Sequence, residues 1–264
     1  MSRRFSLRTK LFAAALGVAA LFTTLAPAAA GAEDSGFAGP KPTIVLVHGA
    51  FADAGSWNEV TQRLQRNGFP VLAVANPLRG VATDSAAVRQ VVDSVKGPVI
   101  LVGHSYGGTV ISHAAAGDKD VKALVYIAAF APAVGESAGQ LSAGGKLGPD
   151  TTRLVGNDLY IKSENFHEVF AADLPRRTTA LMAAGQRPID AGALGFQATA
   201  AAWQDIPSWY LVAKQDNAIP ADSQRAMATR AKSHTTEVNA SHAVSVSRPD
   251  ATYAAILGAV RGTR

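Results

Sequence analysis

Cysteine is absent from this 264-residue chain. That excludes disulfides, a thiolate nucleophile and any Cys-ligated metal site. Stability then rests on the apolar core, and a chain of this length, 48% hydrophobic, can bury a sizeable one. Acidic residues are missing from the first 32 positions. "MSRRFSLRTK" carries Arg3, Arg4, Arg8 and Lys10, the apolar stretch "LFAAALGVAALFTTLAPAAA" follows, and small residues close the segment. Basic, then apolar, then small is the order of a secretory signal peptide, here over residues 1–32 with cleavage after Ala30 or Ala32. The alternative is a retained membrane anchor; the Ala-x-Ala ending argues against it. "SRRFSLR" also resembles a twin-arginine signal, but Ser6 stands where that signal usually has phenylalanine, so Sec and Tat export both stay open.

A strong net charge is lacking as well. The formal +5 falls to about +1 once the four basic leader residues are set aside, which removes the net-charge reason to seek nucleic acid or anionic lipid. Internal repeats and low-complexity segments are absent after the leader. The mature domain, residues 33–264, opens on the polar, Gly/Pro-marked "EDSGFAGPKP".

What is present is an alternation. "TIVLV" (43–47) is a continuous apolar run of the kind buried on both faces of a parallel sheet, and "PVLAVANP", "PVILVGH", "VKALVYIAAF", "SWYLVAKQD" and "TTEVNAS" are further strand candidates. Helical spacing lies between them. Trp57, Val60 and Leu64 share one face before a glycine stop at Gly68, and Val88, Val91, Val92 and Val95 share another. "GTVISHAAA", "ADSQRAMATRAK" and "DATYAAILGAVRG" are further helices. Strands alternating with helices predict right-handed crossovers and an α/β fold with six mainly parallel strands. The rhythm breaks between about 131 and 205, where Ala, Gly and polar residues surround "FHEVFAA" and "RRTTALMAAG". This stretch is expected to be a helical cap inserted after the fourth strand.

Function in an open parallel sheet gathers at the carboxyl ends of the strands. The third strand ends in "GHSYGG", which places Ser105 between Gly103 and Gly107, with Gly108 next. A strand turning abruptly into a helix strains the apex residue and leaves no room for side chains beside it. This is the G-x-S-x-G nucleophile elbow. A serine hydroxyl needs a base, and the base an orienting acid. Of six histidines, His48 and His104 lie in tight turns, His113 in a helix, His167 in the cap and His234 before the last strand. His242 follows that strand in "NASHAVS" and is the candidate base. The "NAS" at 239–241 also fits a glycosylation sequon, but beside His242 it reads as catalytic-loop sequence. Asp216, in "KQDNAIP" after the fifth strand, is the candidate acid; Asp222, Asp205 and Glu136 are alternatives. The oxyanion donors are expected to be the amide of Tyr106 and that of Ala50 in "HGAF", with Phe51 the adjacent possibility.

These segments carry a resemblance. "TIVLVHGAFADAGSW", "PVILVGHSYGG", "VKALVYIAAFAP", "KQDNAIP" and "SHAVSVSRP" are similar to the α/β-hydrolase superfamily, in particular its bacterial esterase-like branch related to plant methylesterases and hydroxynitrile lyases. The resemblance runs from about Thr43 to the C-terminus and is weakest in the cap. It implies a six-stranded sheet and a Ser–His–Asp triad at the positions above. The lyases resemble one another in a lysine after the catalytic histidine and a threonine after the "H" of the "HG" turn; here stand Ala243 and Gly49, which argues against cyanohydrin cleavage. Dehalogenases and epoxide hydrolases carry aspartate at the elbow, where this chain has Ser105.

The expectation is a secreted ester hydrolase acting on an apolar small-molecule ester, with no metal or organic cofactor, no nucleic-acid partner and no membrane anchor after signal cleavage. Phe51, Phe130, Phe166, Phe170 and Trp203 are candidates for an apolar pocket, with simple core packing the alternative for each. A cofactor-free haloperoxidase or perhydrolase, and a non-catalytic binding protein on the same scaffold, are the other readings. The natural ester and the oligomeric state are not legible in the sequence.

Overall fold

The computed structural model describes residues 41–263; the proposed leader at 1–32 lies outside them. The strands are β1 Thr43–Val47, β2 Val71–Val74, β3 Val99–His104, β4 Val121–Ile127, β5 Thr152–Val155, β6 Asp158–Ile161, β7 Ile189–Asp190, β8 Ser208–Ala213 and β9 His234–Val238. The helices are α1 Asn58–Arg66, α2 Val81–Asp93, α3 Tyr106–Ala114, α4 Ala138–Leu141, α5 Ser163–Phe170, α6 Arg176–Gly185, α7 Ala221–Arg230, α8 Val244–Ser247 and α9 Pro249–Gly262. Among them are all six strands expected from the apolar runs.

Those six form one sheet in the order β2-β1-β3-β4-β8-β9, with every neighbouring pair parallel. The continuous apolar runs follow from burial on both faces. In β1, Ile44 and Leu46 join one buried cluster while Val45 and Val47 join the other; in β3, Ile100 and Val102 face one way and Leu101 the other. Val60 and Leu64 of α1 and Ile256, Ala259 and Val260 of α9 cover one face. Val88 and Val92 of α2, Val110 and Ile111 of α3 and Met227 of α7 cover the opposite face. Each of these Val, Leu, Ile and Met side chains gains roughly 1.5–3 kcal/mol on full burial, so the apolar stripes legible in the sequence are what clamp the helices to the sheet.

The segment between β4 and β8 corrects one expectation. It is not simply helical, because β5, β6 and β7 form a second, three-stranded antiparallel sheet beside α5 and α6. The cause is local. "TRLV" and "DLYI" are separated by Gly156-Asn157 alone, and Gly156 has φ +60°, the conformation a two-residue hairpin turn demands. The strands were hard to read because they are four residues long and β5 is mostly exposed. Ile161, Phe166, Val169, Phe170 and Ile189 from this insert pack into the same cluster as Val45 and Leu101. The insert therefore shares the core of the sheet and delivers aromatic rings to its carboxyl edge.

Candidate active site

The central strand β3 ends at His104, and the chain turns at once into α3. Ser105 sits at the apex with φ 54° and ψ −126°, a backbone strain that costs on the order of 1–3 kcal/mol and clusters at functional sites. The flanking glycines are a packing requirement. A Cβ on Gly107 would lie 2.5 Å from the Val47 carbonyl oxygen, and one on Gly103 would lie 2.6 Å from the Gly107 carbonyl oxygen. Gly49 of the "HG" turn has the same constraint, since its Cβ would meet the Ser105 Cβ at 2.6 Å. The first and third strand ends are thus pressed together around the serine.

Two more strand ends complete the arrangement. Asp216 follows β8 and His242 follows β9. Gln215 N–H donates to the Ala240 carbonyl at 3.0 Å and Lys214 N–H to the Val238 carbonyl at 2.9 Å, so the two loops are stitched together. His242 Nδ1 lies 2.7 Å from Asp216 Oδ2, and His242 Nε2 lies 2.8 Å from Ser105 Oγ. A carboxylate accepts, so Nδ1 carries the proton and Nε2 is left to accept from the serine hydroxyl. Ser105, Asp216 and His242 are 6%, 7% and 2% exposed; the line they form is shielded from bulk water, where its hydrogen bonds are strongest.

Four donors converge on Asp216. Oδ1 accepts from the amides of Ala218 and Ile219 at 2.7 and 2.8 Å, and Oδ2 accepts from Gln224 Nε2 at 2.8 Å as well as from His242. Gln224 is itself fixed, because its Oε1 accepts from Ala213 N–H at 3.0 Å. No local motif in the sequence marks Gln224; its role comes from where α7 begins. The other acids are engaged elsewhere. Asp222 is 94% exposed and pairs with Arg225, Glu136 pairs with Arg230, and Asp205 is exposed.

The remaining histidines have other work. His113 lies between the Thr109 carbonyl and the Thr199 amide, His167 faces Thr179, and His234 stacks on Trp209. His48 bonds the Gly49 carbonyl, and burial lowers its pKa. His104 matters to the site indirectly: its Nε2–H donates to the His242 carbonyl at 2.8 Å. Burial, and then the nearby His242 ring 4.8 Å away, push the His104 pKa down to about 3. It therefore stays neutral and places no positive charge beside the His242 ring.

The candidate oxyanion amides are distinguished by their partners. Phe51, with φ 61°, donates its N–H to the Arg187 carbonyl at 3.0 Å. That commitment leaves the Ala50 amide as the candidate from this turn, opposite the amide of Tyr106 at the start of α3. Of the candidate pocket residues, Phe170 meets the His242 ring at 5.0 Å and the His104 ring at 6.1 Å. Phe166 lies 5.1 Å and Phe51 6.5 Å from Phe170. Phe130 reaches the elbow through its backbone, its N–H donating to the Ser105 carbonyl at 3.1 Å. Trp203 belongs to the same buried cluster, but its indole N–H donates to the Pro132 carbonyl and Arg230 lies over its ring; it packs the insert rather than joining the rings around His242.

A parallel sheet with this elbow, and with an acid and a base on the last two strand ends, defines a class. The sequence profile of the alpha/beta hydrolase family matches residues 44–255, and the chain belongs to that family. Among its relatives, the alpha/beta hydrolase nvfD of Aspergillus novofumigatus is 28% identical over 234 residues, covering 80% of this chain and 93% of that protein. Two solved structures share the fold. A pyrethroid hydrolase from Sphingobium faniae JZ-2 superposes with a TM-score of 0.70 at 23% identity, covering 83% of this chain and 97% of its own. The Arabidopsis methylesterase MES16 does so with a TM-score of 0.69 at 20% identity, covering 84% and 99%.

Proposed function

We propose that this protein is an exported serine hydrolase that cleaves carboxylic esters. The observation that carries the reading is the continuous hydrogen-bonded line from Ser105 through His242 to Asp216. In this mechanism Ser105 Oγ attacks the ester carbonyl while His242 Nε2 takes its proton. Asp216 holds the imidazole in the productive tautomer and offsets the charge it gains. The amides of Ala50 and Tyr106 receive the oxyanion, each such donor being worth about 10²–10³ in rate. His242 returns the proton to the leaving alkoxide, which yields an acyl-Ser105 ester and free alcohol. Water, deprotonated by the same imidazole, then releases the acid. The aromatic cluster of Phe170, Phe166 and Phe51 beside His242 favours an apolar ester, and the names pyrethroid hydrolase and methylesterase carried by the structural neighbours are in keeping with an ester substrate.

Export rests on the leader at residues 1–32. Among the described residues, no helix is long and apolar enough to cross a membrane. N-terminal sequencing of protein recovered outside the cytoplasm tests this part, with a mature start at Gly31 or Glu33 expected. The chemistry is tested with p-nitrophenyl butyrate and Ser105→Ala. Activity should fall to background in the variant; retention of most of it would remove the mechanism.

A further inference from the structure

Among the described residues, Asp84 is the one buried acid outside the line just described. Asp84, in the first turn of α2, is fully buried. Its Oδ1 accepts from the Arg79 amide at 2.9 Å and so closes the sharp turn that leads into the helix. That accounts for one oxygen. The other, Oδ2, accepts from the Tyr106 hydroxyl at 2.8 Å. Tyr106 is also fully buried, and burial pushes its phenol pKa up, so the hydroxyl remains a donor. A buried acid is costly to keep even when hydrogen-bonded, and replacing an acid–hydroxyl pair by apolar groups of the same volume is often as stable or more so. The tyrosine it grips is the residue whose amide stands first in α3, directly after Ser105.

We propose that Asp84 is a positioning residue for the oxyanion, fixing the direction of the Tyr106 amide by anchoring the far end of the Tyr106 ring. This inference rests on the reading of Tyr106 N–H as an oxyanion donor. A tyrosine side chain has two torsions and a rigid ring, so holding its hydroxyl restrains its Cα and the peptide N–H beside it. The anchor is itself braced. The Arg79 guanidinium donates to Asp158 Oδ1 of β6 at 2.6 Å and to the Pro188 carbonyl at 3.1 Å, and the Leu78 carbonyl accepts from Asp190 N–H at 2.9 Å. The turn that presents Asp84 is thus tied to the inserted segment on one side and to the elbow on the other.

The test compares Asp84→Ala, Asp84→Asn, Tyr106→Phe and Val60→Ala. Asparagine can accept from the Arg79 amide and donate to the tyrosine oxygen, so it preserves the anchor with the hydrogen bond reversed. Val60 is buried on the opposite face of the sheet and serves as a control for lost stability alone. With p-nitrophenyl butyrate, Asp84→Ala and Tyr106→Phe should lose about tenfold or more in kcat with KM within about twofold, the signature of an interaction made only in the transition state. Their inhibition by phenylboronic acid, which forms a tetrahedral adduct on the serine, should weaken in step. Asp84→Asn should stay within about threefold of wild type, and Val60→Ala should keep kcat despite a lowered Tm. Wild-type kcat in folded Asp84→Ala, or in Tyr106→Phe if the alanine variant does not fold, would overturn the inference. So would a kcat loss in Val60→Ala equal to that in Asp84→Ala at matched Tm. Ser105→Ala run alongside separates the failures: activity there removes the reading of the site, whereas activity in the Asp84 and Tyr106 variants removes only the anchor.

Discussion

His104 makes the acid stability of this protein calculable. Its ring is buried, donates to the His242 carbonyl, and has a pKa pushed down by burial to about 3 from an ordinary value of 6.5. The folded state therefore holds the ring neutral while the unfolded chain protonates it near pH 6.5. Stability from this group is fully present above pH 6.5 and is lost progressively as pH falls from there toward 3. Each pH unit in that window costs about 1.4 kcal/mol, so moving from pH 7 to pH 5 removes about 2 kcal/mol through His104 alone. Glutamine at 104 can still donate to the His242 carbonyl but does not titrate. Urea unfolding of wild type and His104→Gln, followed by tryptophan fluorescence at pH 7 and pH 5, reads the difference directly. The substitution lowers stability at both pH values if it disturbs packing against Trp57 and Phe170, but the pH-dependent loss should be smaller in the variant by about 2 kcal/mol. Equal losses in the two proteins would refute the assignment of a neutral, buried His104.

Two further outcomes follow from the geometry of the site. Gly107→Ala places a Cβ 2.5 Å from the Val47 carbonyl oxygen and 3.0 Å from that of His48; because both are backbone, the variant should lose on the order of 3 kcal/mol, and an unchanged urea midpoint would contradict this. Asp216→Asn keeps an acceptor for the Ala218 and Ile219 amides but turns an NH₂ group toward His242 Nδ1 and Gln224, which drives the imidazole to the wrong tautomer. Its kcat for p-nitrophenyl butyrate should fall by about 10³–10⁴, and a loss under tenfold would argue against Asp216 as the orienting acid.

The central strands β1, β3, β4 and β8 were legible because burial on both faces turns each into a continuous apolar run, whereas the edge strands β2 and β9 are largely exposed and were read from the alternation with helices; the helices were legible because Val60 and Leu64, or Val88 and Val92, repeat at helical spacing. The elbow was legible because the turn at Ser105 leaves no space for a Cβ two residues to either side, at Gly103 or Gly107, a constraint written locally. Asp216 and His242 were singled out by position at strand ends, not by motif, and the structure brings both to Ser105. The hairpin of β5 and β6 was missed although its runs are separated by the glycine-asparagine pair that marks tight hairpins; short, exposed strands leave little apolar pattern. Gln224, Asp84 and the Arg187 carbonyl were illegible for another reason. Each acts on a partner set by tertiary placement: Gln224 on Asp216, Asp84 on Tyr106, and Arg187 on Phe51. Nothing within a helical turn of these residues announces the partner.

The central claim is that Ser105 is activated by His242 and Asp216 and forms a covalent intermediate. A fluorophosphonate probe with peptide mapping by mass spectrometry tests it most directly. The account predicts one adduct, on Ser105, formed by the folded protein, suppressed in His242→Ala and abolished by prior unfolding in urea. Modification at another residue, or ester hydrolysis that proceeds undiminished while Ser105 stays unlabelled, would contradict it.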